Sequence, residues 1–173
     1  MSHFGSYREY RVKALSLNFF DLVQRLGIMP SCVAGHRIPA PLGGHDFAAS
    51  GPDEIFGMGA QASESLQNPQ LSALRPRNVP ILEASALPTV TFTVNLAFCG
   101  AQVTCGEVVL IHAGAGGVGL AAISAARRLG AQVLCSAGSA KKICFLRNRG
   151  VLQVAASRDG EAFLMDFYDL SMG

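Results

Sequence analysis

The run Glu107–Gly119, Glu-Val-Val-Leu-Ile-His-Ala-Gly-Ala-Gly-Gly-Val-Gly, sets a short apolar strand directly against the spacing Gly114-x-Gly116-x-x-Gly119 and opens into an Ala-rich helix. No other feature limits the possible folds so sharply, because each glycine answers a separate demand. Gly114 allows a tight turn, Gly116 lets the backbone approach a pyrophosphate, and Gly119 lets the helix pack closely on the strand. Gly117 and Val118 complete the candidate set, since the first N–H groups of such a helix face an anionic ligand. In a chain with 19 glycines the spacing alone would mean little. With a strand before it and a helix after it, the expectation is a dinucleotide-binding turn.

The pattern beyond Glu107 supports this. Strands over 107–112, 132–136 and 151–155 alternate with helices over 117–129 and 140–149, at the lengths of two successive βαβ units. Right-handed crossovers make the sheet parallel. The tail 159–173 takes no clear assignment, and the three strands supply one half of a complete dinucleotide fold. Upstream, residues 10–15 alternate as a half-exposed strand, and 18–26 read as a short amphipathic helix closed by Gly27. From Pro30 to about Pro80 the chain is broken by Pro, Gly, Ser and Asn, with scraps of strand pattern such as Asp53–Met58. After Pro88 an apolar helix is expected from about Thr91 to Cys99. The expected class is therefore α/β: an incomplete Rossmann-type parallel sheet over 107–173, preceded by a partial, mostly β domain over 1–80 and a connecting helical segment over 81–106.

Composition excludes several functions. Half the residues are hydrophobic and 15% are charged, a globular balance. A net charge of +2, without aromatic residues interleaved among basic ones, argues against nucleic acid. The five cysteines form no CxxC pair and read as buried thiols of a reducing compartment. The N-terminus lacks the apolar core of a secretory signal, so a cytoplasmic location is expected. Val108–Ala126 is a 19-residue stretch without a charge, long enough for a bilayer. Four clustered glycines and the Arg127-Arg128 pair at its end argue against a membrane span.

Charge also discriminates between cofactors. NAD-binding folds carry an acidic residue about 20 positions past the glycines, to accept from the ribose 2′-OH. That place here reads Cys135-Ser136-Ala137-Gly138-Ser139, and no Asp or Glu occurs from Val108 to Arg158. The same stretch holds seven of the 14 basic residues, which favours the 2′-phosphate of NADPH. Ser139 and Lys142 are the best placed to meet it; Arg127, Arg128, Arg147 and Arg149 read as solvated helix faces.

Asn18-Phe19-Phe20-Asp21, Leu110–Ala122, Gly138-Ser139-Ala140-Lys141-Lys142 and Ser157-Arg158-Asp159 with Phe163 occur in an order that resembles the enoyl reductase domains of polyketide and animal fatty acid synthases. These are zinc-independent medium-chain reductases, and quinone reductases share the general pattern. The resemblance implies a GroES-like substrate domain and NADPH-dependent reduction of an enoyl thioester carried on an acyl carrier protein. Hydride reaches the β-carbon, charge develops on the thioester oxygen, and a proton must reach the α-carbon. Lys142 and Asp159 match family residues that donate this proton or support its donor; the alternatives are that Lys142 only holds phosphate and Asp159 only caps a turn. Arg158 falls at the phosphate site. Thr93 matches a threonine near the cofactor, and Asn18 an asparagine beside the nicotinamide, although Asn18 also suits an ordinary helix N-cap.

Some positions depart from the family. Phe20 replaces a common arginine, and Met29 stands where some relatives have a tyrosine that takes part in protonation. Gly44-His45-Asp46 resembles the Gly-His-Glu of zinc alcohol dehydrogenases, but the partner thiolate would fall near Asn18, so no metal is expected. Cys32, His36 and His45 are the remaining candidates and read as loop residues. The region 30–80 is shorter than the family's barrel-like domain, whose first strands are expected to be absent. A three-stranded half-sheet leaves an apolar edge, so a completing chain or a homodimer is the expected partner. An inactive remnant and a partner-binding module are the competing readings.

Overall fold

The computed structural model describes residues 8–28, 32–33, 36–37, 45–59, 64–67, 71–158 and 160–172. The chain divides into two compact units, residues 1–89 and 90–173.

The first unit is built on an antiparallel sheet. Its elements are β1 (Arg8–Ser16), α1 (Phe19–Arg25), β2 (Cys32–Val33), β3 (His36–Arg37), β4 (His45–Ser50), β5 (Glu54–Gly59), β6 (Glu64–Gln67), β7 (Ser72–Leu74) and α2 (Ile81–Ala84). Five strands run in the order β6-β1-β4-β5-β7, and β2 pairs with β3 apart from them. The broken reading of 30–80 is thus corrected: β2, β3, β4, β6 and β7 lie within it, so Cys32, His36 and His45 stand in strands and not in loops. Central β4 escaped notice because both its faces are covered. Phe47 and Ala49 pack with Tyr10 and Ile55 on one side, while Ala48 packs with Ala14 and Ala84 on the other. A strand buried on both faces shows no alternation.

β1 crosses between those two clusters. Tyr10 and Val12 belong to the first and Ala14 to the second, although all three share one parity. The register against β4 slips between Val12 and Ala14, and this bulge turns the strand over.

The polar centre of the unit is Asp46, which is fully buried. Its carboxylate accepts from Asn18 Nδ2 at 3.0 Å, from the Thr89 N–H at 3.0 and 3.1 Å, and from Thr89 Oγ1 at 2.7 Å. Thr89 lies in the first turn of α3 (Pro88–Ala101), where N–H groups lack intrahelical acceptors. A strand residue 43 positions away therefore caps this helix. α3 starts at Pro88, three positions earlier than expected, because proline's fixed φ suits the first helical position and its missing N–H is not needed there.

The second unit contains β8 (Val108–Ile111), α4 (Gly117–Leu129), β9 (Gln132–Ala137), α5 (Ala140–Asn148), β10 (Gln153–Ala156) and α6 (Gly160–Met172). Its sheet has the order β10-β9-β8 with both pairs parallel, so the expected α/β class is what the chain forms. Ile111, Ala122, Ile123, Cys135, Leu146 and Val154 form the core, joined by Val94 of α3. The tail without a clear sequence assignment is α6, tied to the sheet where Asp166 Oδ2 accepts from the Ala156 N–H at 3.0 Å. Val108–Ala126 is divided among β8, a turn and α4; among the described residues no helix is long and apolar enough to cross a membrane. The cysteine expectation needs correcting, since Cys135 is buried but Cys99, Cys105 and Cys144 are exposed. Exposure follows their placement on helix surfaces and in a turn.

Asp46→Ala leaves the Thr89 and Asn18 donors without their acceptor in a dry interior, and is expected to cost about 3 kcal/mol. Urea unfolding followed by circular dichroism measures this, and a loss below about 1 kcal/mol would show the network to be dispensable.

Candidate nucleotide site

β8 ends at Ile111 and α4 begins at Gly117, so five residues must reverse the chain. Only Ala113 among them has a left-handed backbone, at φ 52°. The turn's positive φ falls on Ala113, and Gly114 contributes space. A Cβ on Gly114 would lie 2.8 Å from Cys135 Sγ. One on Gly119 would lie 2.6 Å from the Ala113 carbonyl oxygen and 2.7 Å from Gly114 Cα. The helix therefore sits against the turn at a distance only glycine permits, as its spacing predicted. At Gly116 the nearest atom is 3.3 Å away, and the residue is the extended N-cap of α4 with no side chain to occupy the first-turn N–H groups. Those donors have no side-chain cap.

β9 holds the turn in place. The Gly114 N–H donates to the Ser136 carbonyl at 3.0 Å, and the Ala113 N–H to Ser136 Oγ at 3.3 Å. His112 Nδ1 lies 3.0 Å from the same hydroxyl. Sequence reading missed Ser136 and His112, because only the parallel register of β8 beside β9 brings them together.

A cleft of about 370 Å³ opens beside the turn. Ala113, Ala115 and Gly116 line it from the turn, Ala137 and Gly138 from the end of β9, Lys142 from the first turn of α5, and Ser157 and Arg158 from the segment after β10. All lie past the carboxyl ends of the parallel strands, where α/β sheets of this kind bind ligands. Arg158 lies across Gly138, since a Cβ there would be 2.9 Å from its Nε. Ser139 caps α5 by accepting the Lys142 N–H at 3.4 Å, which leaves its own proton to give. Among the described lining residues two are cations and none is an acid.

The expected site residues thus fall in different places. Gly116, Lys142 and Arg158 line the cleft, Gly114, Gly117, Val118 and Gly119 build the turn and the start of α4, and Ser139 caps α5. Thr93 is exposed on α3 and is not among the lining residues. Asn18 belongs to the first unit. Its amide turns to Asp46 rather than to its own helix, and its N–H donates to Asp21 Oδ2 at 2.6 Å. Asp159 and Met29 lie outside the described residues.

No protein-family model matches the chain. It is 36% identical over 172 residues to the phthioceranic/hydroxyphthioceranic acid synthase of Mycobacterium tuberculosis strain H37Rv, an alignment covering 88% of this chain and 8% of the synthase. Among solved structures, the apo JamJ enoyl reductase superposes with a TM-score of 0.77 at 26% identity, over 95% of this chain and 55% of that one. The quinone oxidoreductase of Thermus thermophilus, solved alone and with NADPH, gives a TM-score of 0.71 at 28% identity over 86% of this chain and 50% of its own. The chain belongs to the medium-chain dehydrogenase/reductase superfamily. Within that superfamily it sides with the enoyl reductases and quinone oxidoreductases. It spans about half the length of those solved reductases and less than a tenth of the synthase. The superfamily's nicotinamide-dinucleotide fold is what the glycine turn and parallel sheet form here.

Beneath the turn, burial pushes the Cys135 thiol up from an ordinary 9.0 to about 11, against a smaller downward pull from the Arg127 charge. An unfolded chain loses this proton near pH 9, whereas the folded one keeps it toward pH 11. Stability from this group is whole below pH 9 and falls as the pH rises between those values. Denaturation midpoints measured across that window should decline in the wild type and less so in Cys135→Ala. Parallel curves for the two proteins would contradict it.

Gly119→Ala forces a Cβ into the Ala113 carbonyl and is expected to destabilise the second unit by about 3 kcal/mol or more. Gly116→Ala meets a looser contact and should cost less. Thermal melts of both variants give the order, and equal melting temperatures would refute it.

Proposed function

We propose that the second unit binds NADPH and that the chain forms the cofactor-binding part of an enoyl reductase, acting on the α,β double bond of an enoyl thioester carried on an acyl carrier protein. The observation that carries the cofactor reading is the cleft where Lys142 and Arg158 face the glycine turn without a carboxylate among the described lining residues. The substrate reading rests on the relatives, which include a phthioceranic/hydroxyphthioceranic acid synthase and JamJ enoyl reductase.

The residues fit this group well. The first N–H groups of α4, uncapped at Gly116, hold the pyrophosphate. Lys142 and Arg158 hold the 2′-phosphate, and Ser139 Oγ donates its remaining proton to it. Bound there, NADPH supplies the hydride for the β-carbon. Lys142 shares its cleft with Arg158, which supports the phosphate role over proton donation and leaves Asp159 as the candidate for protonating the α-carbon. Asn18, its amide fixed by Asp46, and Thr93 are assigned by family resemblance to the nicotinamide end. A quinone acceptor is the second reading, favoured by the likeness to the Thermus thermophilus quinone oxidoreductase.

Fluorescence titration of the chain with NADPH and NADH tests the cofactor assignment. NADPH should bind at least about tenfold more tightly, the worth of one charge-assisted hydrogen bond. Lys142→Ala and Arg158→Gln should each erase about tenfold of the NADPH affinity while leaving NADH nearly unchanged. Equal affinities for the two nucleotides in the wild type would contradict it. Turnover of crotonyl thioester in preference to a quinone, followed by NADPH absorbance, separates the two substrate readings.

A further inference from the structure

A second cleft, of about 520 Å³, is lined by α4 from Leu120 to Arg128 and by Leu146, Arg149 and Val151 at and beyond the end of α5. Its floor includes Ile123, Leu146 and Val151, all buried, and its rim carries Arg127, Arg128 and Arg149. Its lining begins at Leu120, next to Gly119, but shares no residue with the cleft beside the glycine turn. The two clefts are separate sites.

The sequence pattern reads these arginines as solvated helix faces, yet the fold gathers three of them on one concavity. No carboxylate pairs with them among the described residues, and none occurs in the chain from Val108 to Arg158. Two of the guanidiniums are already placed. Arg127 Nη1 donates to the Arg149 carbonyl at 3.1 Å, and the Arg149 guanidinium stacks 4.7 Å from the centre of the Phe145 ring. A planar fork held in this way loses little freedom when it meets an oxyanion. The helix C-termini offset part of the charge, about half a unit each, leaving roughly two positive charges over an apolar floor. A concave low-dielectric wall concentrates that field. The volume lies within the usual range for small-molecule sites.

We infer that this cleft binds a dianionic phosphate monoester bearing a short apolar group, the phosphate on Arg127, Arg128 and Arg149 and the apolar group against half-buried Leu120, above the Ile123, Leu146 and Val151 floor. The site is independent of the NADPH assignment and needs no residue of the glycine turn.

The test uses the full chain with ¹⁵N-labelled arginine and follows the side-chain Nε–Hε resonances during titration with hexyl phosphate, inorganic phosphate and a polyglutamate peptide. Hexyl phosphate should shift the Arg127, Arg128 and Arg149 signals saturably, and bind at least about tenfold more tightly than inorganic phosphate because of its buried methylenes. Arg128→Gln and Arg149→Gln should each weaken it about tenfold. Arg149→Lys, which keeps the charge but loses the fork, should weaken it too, and Lys142→Ala should leave it unchanged. Thermal melts check that each variant folds; if one does not, the wild-type resonance map decides. Absence of saturable shifts, binding lost in Lys142→Ala, or equal affinity for hexyl and inorganic phosphate would overturn the inference. Polyglutamate binding without ester binding would also overturn it, and would assign the rim to an acidic protein surface.

Discussion

The second unit depends on the absence of two β-carbons. Gly114 must pass under Cys135 and Gly119 must touch the Ala113 carbonyl, and these contacts fix where α4 begins relative to the end of β8. From that one geometry follow the direction of the helix, the free first-turn N–H groups and the side of the sheet on which α5 must cross. α5 then delivers Lys142 to the cleft, and the chain after β10 delivers Arg158. A methyl group at 119 would disturb all of this, although it touches no ligand.

Charge is distributed with equal economy. The stretch from Val108 to Arg158, free of acids, leaves seven basic residues in the first two βαβ units, and the fold sends them in different directions. Lys142 and Arg158 face the carboxyl ends of the strands, while Arg127, Arg128 and Arg149 gather at the far ends of α4 and α5. In both places the arrangement supports an anion, because exposed cations gathered on one concavity add their fields there. The first unit works differently: the fully buried carboxylate of Asp46 is consumed internally by three donor groups and holds the start of α1 and the first turn of α3.

What could be read from the sequence was whatever repeats locally. Glycine spacing, the strand and helix lengths after Glu107, and the amphipathic 18–26 stretch all express themselves within a few residues, and the elements appear where that spacing puts them. Long-range features were silent. Asp46 finds Asn18 28 positions away and Thr89 43 away, so nothing near it announces a cap. Ser136 reaches the turn only through strand pairing. β4 lost its alternation to two-sided burial, and β1 hid a bulge that reverses its faces. Gathering three arginines on one cleft likewise requires two helices to be packed side by side. The left-handed φ at Ala113 also had no local signal.

The cofactor assignment is tested most directly by the ³¹P resonance of the 2′-phosphate of NADPH, recorded with the chain across a pH series. If Lys142 and Arg158 hold that group, its resonance shifts on binding and the phosphate stays dianionic to a lower pH than in free NADPH, because the cations favour the doubly charged form. A 2′-phosphate signal that titrates as it does in free solution, with NADPH bound, would contradict the assignment.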